Sequence, residues 1–386
     1  RSCLRGVSAR QEPKSHTPIT PKRRESKGTR PLGGARGSAS RSSLHEHNRI
    51  NTERKRIMLY LNIQDFGAKG DGRTDDTAAL IKGLEAVAKE NGTLYFPKGN
   101  YMIHPVKVPS HVTLMGNSAW GGASSDSASL GHTRLTALSG DARALLDLDK
   151  CIGTRIIGLT LDGQNLGKEL HGVYSCHGGV EQNNCYEDCM ICNFTGSGLK
   201  MDWVWVFAIR RCRICNNRLY GVDVDRGYDG WVVDKRIEGN GLWGINAGPG
   251  MVCYTANTIL SNKEGGLLAD DTQNVNITGN SFVENGGPGI AIRHSRASAV
   301  SGNSLQGNGL QKSGLDSCGL QMQDSTGISV MGNVLSGGRN QSPEHGIVAQ
   351  RLSGCTICAN TLFRSSTGEA LVTEGNLDCA VSGNMC

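Results

Sequence analysis

The sequence predicts an all-β fold, a parallel β-solenoid of about 23 residues per turn behind an N-terminal capping helix. Two series of residues support this prediction. A glycine followed by an apolar segment recurs at Gly198, Gly221, Gly244, Gly266, Gly289, Gly319 and Gly346. An asparagine recurs at Asn257, Asn280, Asn303, Asn333, Asn360 and Asn384. Both series lengthen near 309–316 and 338–344, where we expect insertions. Helical repeats would need long 3.6-residue periods, which are absent after residue 90.

An amphipathic helix is predicted ahead of the solenoid. Asp75 and Asp76 supply N-cap chemistry, apolar residues follow at helical spacing through Glu90, and Gly92 ends the pattern. Such a helix covers the otherwise exposed end of a stack of strands. We therefore assign turn and cap roles, rather than catalytic ones, to Asp75, Asp76 and Asp71.

Equal positions in successive turns are expected to form ladders, because the turns of a parallel solenoid stack about 4.8 Å apart. Glycine and asparagine mark the turns since both tolerate left-handed backbone. We predict that the asparagine series forms an amide ladder. An apolar column two residues after it should fill the interior: Ile259, Phe282, Leu305, Leu335 and Leu362.

The charge divides the chain into two parts. Residues 1–57 hold 15 Lys and Arg against 4 Asp and Glu, a net charge of +11, whereas residues 58–386 hold 26 against 31, a net charge of −5. The first part has no aromatic residue and no apolar period, so we expect a disordered basic tail. Because the chain begins with Arg and its first methionine is Met58, we favour non-native or processed sequence over a transit segment or a nucleic-acid arm.

Two classes of partner are excluded by composition. No apolar run approaches the length of a membrane span, and the acidic body argues against a nucleic-acid partner. No secretory apolar segment lies near the start. Localisation therefore stays open between secretion by another route and association with a phage particle.

The 14 cysteines include three Cys-x-x-Cys pairs, Cys189/Cys192, Cys212/Cys215 and Cys355/Cys358. Two such pairs raise the question of zinc. However, the first two pairs are one turn apart, and an offset of three residues points the two sulfurs of a pair to opposite faces of a strand. We predict stacked, reduced cysteine ladders rather than a metal site, with cross-turn disulfides as the alternative.

The segment that enters the solenoid resembles a known superfamily. Residues 62–77 read Asn-Ile-Gln-Asp-Phe-Gly-Ala-Lys-Gly-Asp-Gly-Arg-Thr-Asp-Asp-Thr, and residues 92–101 read Gly-Thr-Leu-Tyr-Phe-Pro-Lys-Gly-Asn-Tyr. This pattern is similar to the start of the pectate-lyase-like right-handed parallel β-helix superfamily, in particular its rhamnogalacturonase/epimerase-like pectate lyase domain. The resemblance implies a single right-handed β-helix domain over 58–386 and a polysaccharide partner.

The catalytic motifs of two subfamilies match only in part. Alginate epimerases have a catalytic turn that reads Tyr-Gly-Phe-Asp-Pro-His; here residues 220–223 read Tyr-Gly-Val-Asp, and Val224-Asp225 replaces Pro-His. Polygalacturonases carry an Asp-Asp motif that resembles Asp270-Asp271, but their Gly-His-Gly and Arg-Ile-Lys motifs are absent.

Polar residues collect in two columns, the fourth and fifth residues after each turn glycine. These columns supply a base and a cation for β-elimination of a uronate, or paired carboxyl groups for glycoside hydrolysis. The candidate catalytic residues are Asp270, Asp271, Arg293, His294 and Asp225. The candidate substrate-binding residues are Asp202, Asp223, Trp203, Arg226, Asp324 and Arg351. An ordinary polar face is the alternative.

We therefore predict a carbohydrate-active β-helix that cleaves a polysaccharide, as a lyase or a glycoside hydrolase, in a groove on the solenoid face. The alternatives are a non-catalytic, tailspike-like adhesin and a structural solenoid. No cofactor is predicted, although clustered carboxylates would suit Ca²⁺. The expected assembly is a monomer or a homotrimer.

Overall fold

The chain winds into a parallel β-solenoid, seen in a computed structural model that describes residues 59–119, 132–339 and 341–386. Each regular turn contributes one strand to each of three long sheets. Strands of neighbouring turns pair in parallel and in register, as Leu267 does with Ile290. The predicted solenoid is confirmed. The prediction for residues 1–57 lies outside the described residues.

The strands belong to sheets A, B and C, in the order in which the chain enters them. Sheet A contains Tyr60–Asn62, Thr93–Phe96, Thr113–Gly116, Arg155–Ile157, Glu181–Glu187, Val204–Arg210, Gly227–Val233, Cys253–Thr255, Asn276–Thr278, Ala299–Ser301, Ser329–Met331, Thr356–Cys358 and Ala380–Ser382. Sheet B contains Asp71–Asp75, Gly99–Ile103, Thr133–Ala137, Thr160–Asp162, Met190–Cys192, Arg213–Cys215, Arg236–Glu238, Thr258–Leu260, Ser281–Val283, Ser304–Gln306, Val334–Ser336 and Thr361–Phe363. Sheet C contains Val106–Lys107, Ala144–Asp149, His171–Cys176, Leu199–Asp202, Val222–Val224, Trp243–Ala247, Gly265–Asp270, Ile290–Arg293, Cys318–Gln323, His345–Gln350 and Leu371–Glu374.

The predicted helix is present and covers the first strands. It spans Thr77–Ala88. It therefore begins one residue before position 78, where the apolar pattern of the sequence begins, and it ends two residues before Glu90. Its residues Leu80, Leu84 and Val87 are buried in the main core. Two short 3₁₀ helices, Ile63–Phe66 and Gly314–Asp316, complete the helical structure of the described ranges. None of the helices in these ranges is long and apolar enough to cross a bilayer.

The three N-terminal aspartates have the structural roles predicted for them. Asp75 accepts a hydrogen bond from the Thr77 backbone N–H at 2.9 Å, at the start of the helix. Asp76 instead accepts from the backbone N–H groups of residues 69 and 70, at 2.7 and 3.0 Å, and so fixes the preceding turn. Asp71 accepts from the backbone N–H groups of residues 73 and 74, both at 2.8 Å.

The interior is lined by the predicted apolar column. Its members pair in register on successive turns of sheet B and are at most 2% exposed: Ile191, Ile214, Ile237, Ile259, Phe282, Leu305, Leu335 and Leu362. The predicted insertions also appear, because the two connections from sheet B to sheet C that follow Ser304–Gln306 and Val334–Ser336 are longer than the five connections between Met190–Cys192 and Ile290–Arg293.

The asparagine ladder is confirmed at the corner between sheets A and B. Each side-chain amide from Asn257 to Asn360 donates to the Oδ1 of the next member at 2.9–3.0 Å and to a main-chain carbonyl at 2.8–3.1 Å. A second ladder, which the sequence prediction missed, occupies the corner between sheets B and C: Asn217, Asn240, Asn262, Asn285 and Asn308.

The cysteines stack as predicted. Cys192 and Cys215 are in register and lie in a small apolar cluster with Ala119 and Met190. Their partners in sequence, Cys189 and Cys212, are buried in the main core instead. The two sulfurs of each pair therefore lie on opposite faces of the strand, and the thiols in the described ranges are free.

Asn303→Ala should destabilise the protein by about 2–4 kcal/mol, because it leaves the buried N–H and side-chain amide of Asn280 without their acceptor. Thermal or urea unfolding of the full chain measures the change. The control is Asn276→Ala, at an exposed position, which should change stability by less than about 0.5 kcal/mol. Equal effects of the two substitutions would show that the ladder contributes nothing.

Candidate functional site

The outward face of sheet C carries a ladder of polar side chains at mid-strand. Tyr174, Lys200, Asp223 and Asn246 occupy equivalent positions on four successive turns. The next turn continues the ladder with Leu268. The polar run therefore ends after Asn246 and a polar side chain returns at Gln321, and the ladder is set by the second residue after each turn glycine.

A partly buried ion pair lies at the centre of this ladder. The Nζ of Lys200 is 2.9 Å from Asp223 Oδ2 and 3.7 Å from Asp225 Oδ2. The Nδ2 of Asn246 donates to Asp223 Oδ1 at 2.9 Å, and Asp223 is only 5% exposed. Burial acts to lower the pKa of Lys200, but the carboxylates of Asp223, Asp225 and Asp202 outweigh it and raise that pKa. Lys200 is thus a cation at neutral pH.

Two further titratable groups adjoin this ion pair. Burial, and then the negative charge of Asp223, raise the pKa of Tyr220, so its hydroxyl keeps its proton at neutral pH. His171 is 7% exposed and its Nδ1 accepts the Ser197 backbone N–H at 2.8 Å. Burial lowers the pKa of His171. The neutral imidazole therefore carries its proton on Nε2.

An aromatic and cationic rim borders the ion pair. Arg226 donates to Asp202 Oδ1 from Nε at 2.9 Å and from Nη2 at 2.7 Å. The same guanidinium lies 5.2 Å from the ring centroid of Trp203, which is 46% exposed. The Tyr174 hydroxyl lies 3.4 Å from Asp202 Oδ2. We call Lys200, Asp202, Trp203, Tyr220, Asp223, Asp225 and Arg226 the Lys200 cluster.

A second group of polar side chains lies further along the solenoid, at the carboxyl ends of the sheet C strands. His294 Nδ1 is 2.8 Å from Asp270 Oδ1, and its Nε2 is 3.9 Å from Asp324 Oδ2. Arg351 donates to both carboxylate oxygens of Asp324, at 2.6 and 2.8 Å. Asp271 lies beside them and is exposed. We call Asp270, Asp271, His294, Asp324 and Arg351 the His294 cluster.

The side chain of Arg293 pairs with residues that belong to neither cluster. Its backbone is in register with Asp270, as predicted, but its guanidinium donates to Gln321 Oε1 at 3.1 and 2.7 Å. The same group is 3.7 Å from Asp316, which the first insertion contributes. Arg293 is therefore held against the wall of the insertion rather than paired with Asp270.

The residues predicted as one site thus form two groups. Asp202, Asp223, Trp203, Asp225 and Arg226 come together around Lys200, and the others gather around His294 or, for Arg293, beside the insertion. Sequence reasoning missed Lys200 and Asn246, because it stacked only the fourth and fifth residues after each glycine, and it placed Tyr220 in the epimerase-like turn without selecting it as a site residue. The second residue after each glycine carried the missing signal. Among the described residues, no three His, Cys, Asp or Glu form a group that could hold a metal ion.

Two family profiles match the chain. "Rhamnogalacturonase A/epimerase, pectate lyase-like" matches residues 60–144, and "Right handed beta helix region" matches residues 171–316. The chain therefore has the fold of a right-handed parallel β-helix, and its entry segment matches the pectate-lyase-like profile. The resemblance seen in the entry segment is thereby confirmed, and so is the right-handed course of the solenoid.

Relatives of this β-helix protein include epimerases and tailspikes. Mannuronan C5-epimerase AlgE3 of Azotobacter vinelandii is 24% identical over 248 residues, which are 60% of this chain and 12% of that relative's length. The A-module of mannuronan C-5 epimerase AlgE6 of the same organism has a TM-score of 0.67 at 19% identity, covering 84% of this chain and 98% of the module. The enzymatically active domain of bacteriophage CBA120 tailspike protein 2 has a TM-score of 0.63 at 14% identity, covering 85% of this chain and 52% of that domain. At these identities the two solved structures show the shared fold.

The protonation of His294 should depend on Asp270. The hydrogen bond that His294 donates to Asp270 raises the pKa of His294, so the imidazolium and its contribution to stability are present at low pH. That contribution is lost as pH rises through the raised pKa. NMR titration should show a lower pKa in Asp270→Asn than in the wild type. Asp271→Asn is the control, because the charge of Asp271 has a smaller effect on His294. It should lower the pKa of His294 less than Asp270→Asn does, and equal shifts would show that Asp270 is not the main cause of the raised pKa.

Proposed function

We propose that this β-helix protein acts on a uronate-containing polysaccharide at the Lys200 cluster, by removing the proton from the carbon that bears the uronate carboxylate. Reprotonation of that carbon on its other face gives epimerisation, and loss of the neighbouring glycosidic oxygen gives β-elimination. The observation that supports the proposal most directly is the partly buried Lys200–Asp223 pair with the protonated Tyr220 beside it.

Each group of the cluster has a role in this chemistry. Lys200 supplies the positive charge that stabilises the developing negative charge on the substrate carboxylate. Asp223 and its partner Asn246 hold the ammonium in place. Tyr220 donates a proton, either to the carbanion or to the leaving oxygen. Asp225, whose side chain is 51% exposed at 3.7 Å from Lys200, is the base, and it stands where the epimerase motif has histidine.

Glycoside hydrolysis fits the cluster less well. Hydrolysis requires a carboxyl group that is protonated and donates to the leaving oxygen. Here Asp202 accepts two hydrogen bonds from Arg226, and Asp223 accepts from Lys200 and Asn246. Both groups are therefore engaged as acceptors rather than donors. The similarity to mannuronan epimerases also favours proton abstraction from a uronate.

Binding without turnover is the second candidate function. The replacement of the motif's histidine by Asp225 favours it, and so does the exposed Trp203–Arg226 pair, which suits stacking on a sugar ring beside an acidic group. The tailspike similarity fits a protein that holds a polysaccharide. A homotrimer, the assembly considered alongside a monomer, stays a prediction.

Turnover should be assayed with the full chain on polymannuronate, polyguluronate and polygalacturonate in D₂O. Deuterium at C5 of the polymer, read by NMR, reports epimerisation, and ultraviolet absorbance of unsaturated ends reports elimination. Asp225→Asn and Tyr220→Phe should each lower the rate at least about a hundredfold. Both replacements keep the side-chain size, so circular dichroism should be unchanged.

Two controls locate the activity. Arg211→Gln breaks an exposed ion pair with Asp188 at the corner between sheets A and B and should leave the rate unchanged. Asp270→Asn tests the His294 cluster and should also leave it unchanged. Loss of activity in Asp270→Asn alone would move the catalytic centre to that cluster. Wild-type binding of one polymer without exchange, elimination or hydrolysis would establish the binding function instead.

A further inference from the structure

The asparagine ladder between sheets A and B stops at Asn257, although the solenoid continues. The three preceding turns place Lys235, Cys212 and Cys189 at the ladder position. The main-chain bonds show the equivalence, because each of these residues accepts from the first strand residue of the next turn: Thr258 N–H to Lys235 at 2.7 Å, Arg236 N–H to Cys212 at 3.1 Å and Arg213 N–H to Cys189 at 2.8 Å. A lysine therefore stands where an amide would complete the ladder.

Lys235 is buried with little to compensate its charge. It is 4% exposed, and its Nζ donates to the Val233 carbonyl at 2.9 Å. The Oδ1 of Asn257, one turn further on, is buried and has no hydrogen-bond partner. In the later turns the same oxygen accepts two hydrogen bonds, as Asn280 does from Asn257. Burial lowers the pKa of Lys235 to about 7, so its neutral amine is accessible at physiological pH.

A pair of thiols precedes this lysine. Cys212 and Cys189 are each 1% exposed and stand one turn apart, and their sulfurs donate to main-chain carbonyls, Cys189 to Glu187 at 3.1 Å and Cys212 to Arg210 at 3.2 Å. Burial raises the pKa of Cys189. Burial acts the same way on Cys212, but the neighbouring Cys189 and the charge of Lys235 outweigh it and lower the pKa of Cys212. The thiol next to the lysine is thus the more acidic of the two.

A groove of about 380 Å³ reaches this position from the surface. It is lined by Asp188, Arg211, Cys212, Asp234, Lys235, Arg236 and Thr258. The charged and titratable groups that act on Lys235 are Cys212, Asp234, Cys185 and Arg210. Cys212 and Lys235 thus form part of the groove wall, so a small polar molecule in the groove lies next to both residues.

We propose that Cys212, Cys189 and Lys235 form a redox site that reacts with hydrogen peroxide and closes a disulfide between two turns. Lys235 takes the proton of Cys212, and the thiolate attacks one peroxide oxygen. The O–O bond breaks, Cys212 becomes a sulfenic acid, and the leaving hydroxide takes the proton back from Lys235 as water. Cys189 then attacks the Cys212 sulfur, the S–O bond breaks, and a second water leaves with the proton of Cys189. Two thiols are oxidised and one peroxide is reduced.

The geometry suits the final bond. The two cysteines flank the in-register strands Met190–Cys192 and Arg213–Cys215, so their backbones are one turn apart, about 4.8 Å. Disulfides join Cα atoms about 4.4–6.8 Å apart. Cys192 and Cys215 have the same spacing but no lysine at the next turn, where Glu238 stands in register with Cys215. This second pair is a control within the same molecule.

The test is oxidation of the folded full chain with hydrogen peroxide, followed by alkylation and peptide mass spectrometry over time. A Cys189–Cys212 disulfide should form, and the Cys192–Cys215 pair should react at least roughly tenfold more slowly. Lys235→Asn replaces the lysine by the residue of the other turns and supplies an amide to Asn257. It should raise Tm and slow oxidation of Cys212 roughly tenfold or more.

Cys189→Ser should trap Cys212 as a sulfenic acid that dimedone labels, because no second thiol resolves it. This variant keeps the test decisive if Lys235→Asn fails to fold. Three results would overturn the proposal: an unreacted Cys212, equal rates with and without Lys235, or a Cys192–Cys215 disulfide that forms as quickly.

Discussion

The in-register stacking of one turn on the next is the constraint from which the other features follow. It places each side chain about 4.8 Å from the equivalent side chains of the two adjacent turns. A residue is therefore stable at its position only if its side chain can pack against, or bond to, those two neighbours. Apolar residues satisfy this condition inside, where Ile237 contacts turns that carry Ile214 and Ile259. At two of the corners buried amides satisfy it by bonding to one another. A buried polar group in such a ladder is stable only while the repetition continues.

The third corner, between sheets C and A, is organised differently, and the polar chemistry is found there and on the adjoining strands. Its charged side chains pair across turns instead of repeating, as Arg226 does with Asp202 and Arg351 with Asp324. Because opposite charges alternate, neighbouring turns need not carry the same residue. A solenoid can therefore keep its core and two corners fixed while its remaining face varies in sequence, which fits the range of activities found on this fold.

The ordering of the columns was predictable from sequence, since parallel in-register turns preserve the index of every residue after its glycine. This is why Asp270 and Arg293 were correctly stacked. The direction of the Arg293 side chain was not predictable, because Asp316 belongs to an insertion that no period places. His171 was missed for a similar reason: its contact with Ser197 spans 26 residues across an irregular early turn. The second asparagine ladder could have been predicted from the sequence, because Asn262, Asn285 and Asn308 each follow a member of the first ladder by five residues.

The corner between sheets C and A has one more property, which concerns its backbone. Trp203, Asp271, His294, Asp324 and Arg351 all adopt left-handed conformations, with φ between 47° and 53°. A residue with a Cβ is less stable there than glycine, by about 1 kcal/mol. Five such residues along this edge therefore lower the stability of the fold by several kcal/mol in total. Their side chains project from the edge towards solvent. The other corners also hold non-glycine residues in this conformation, such as Arg211 and Ser261, but at this edge they include the charged and aromatic side chains of the two clusters.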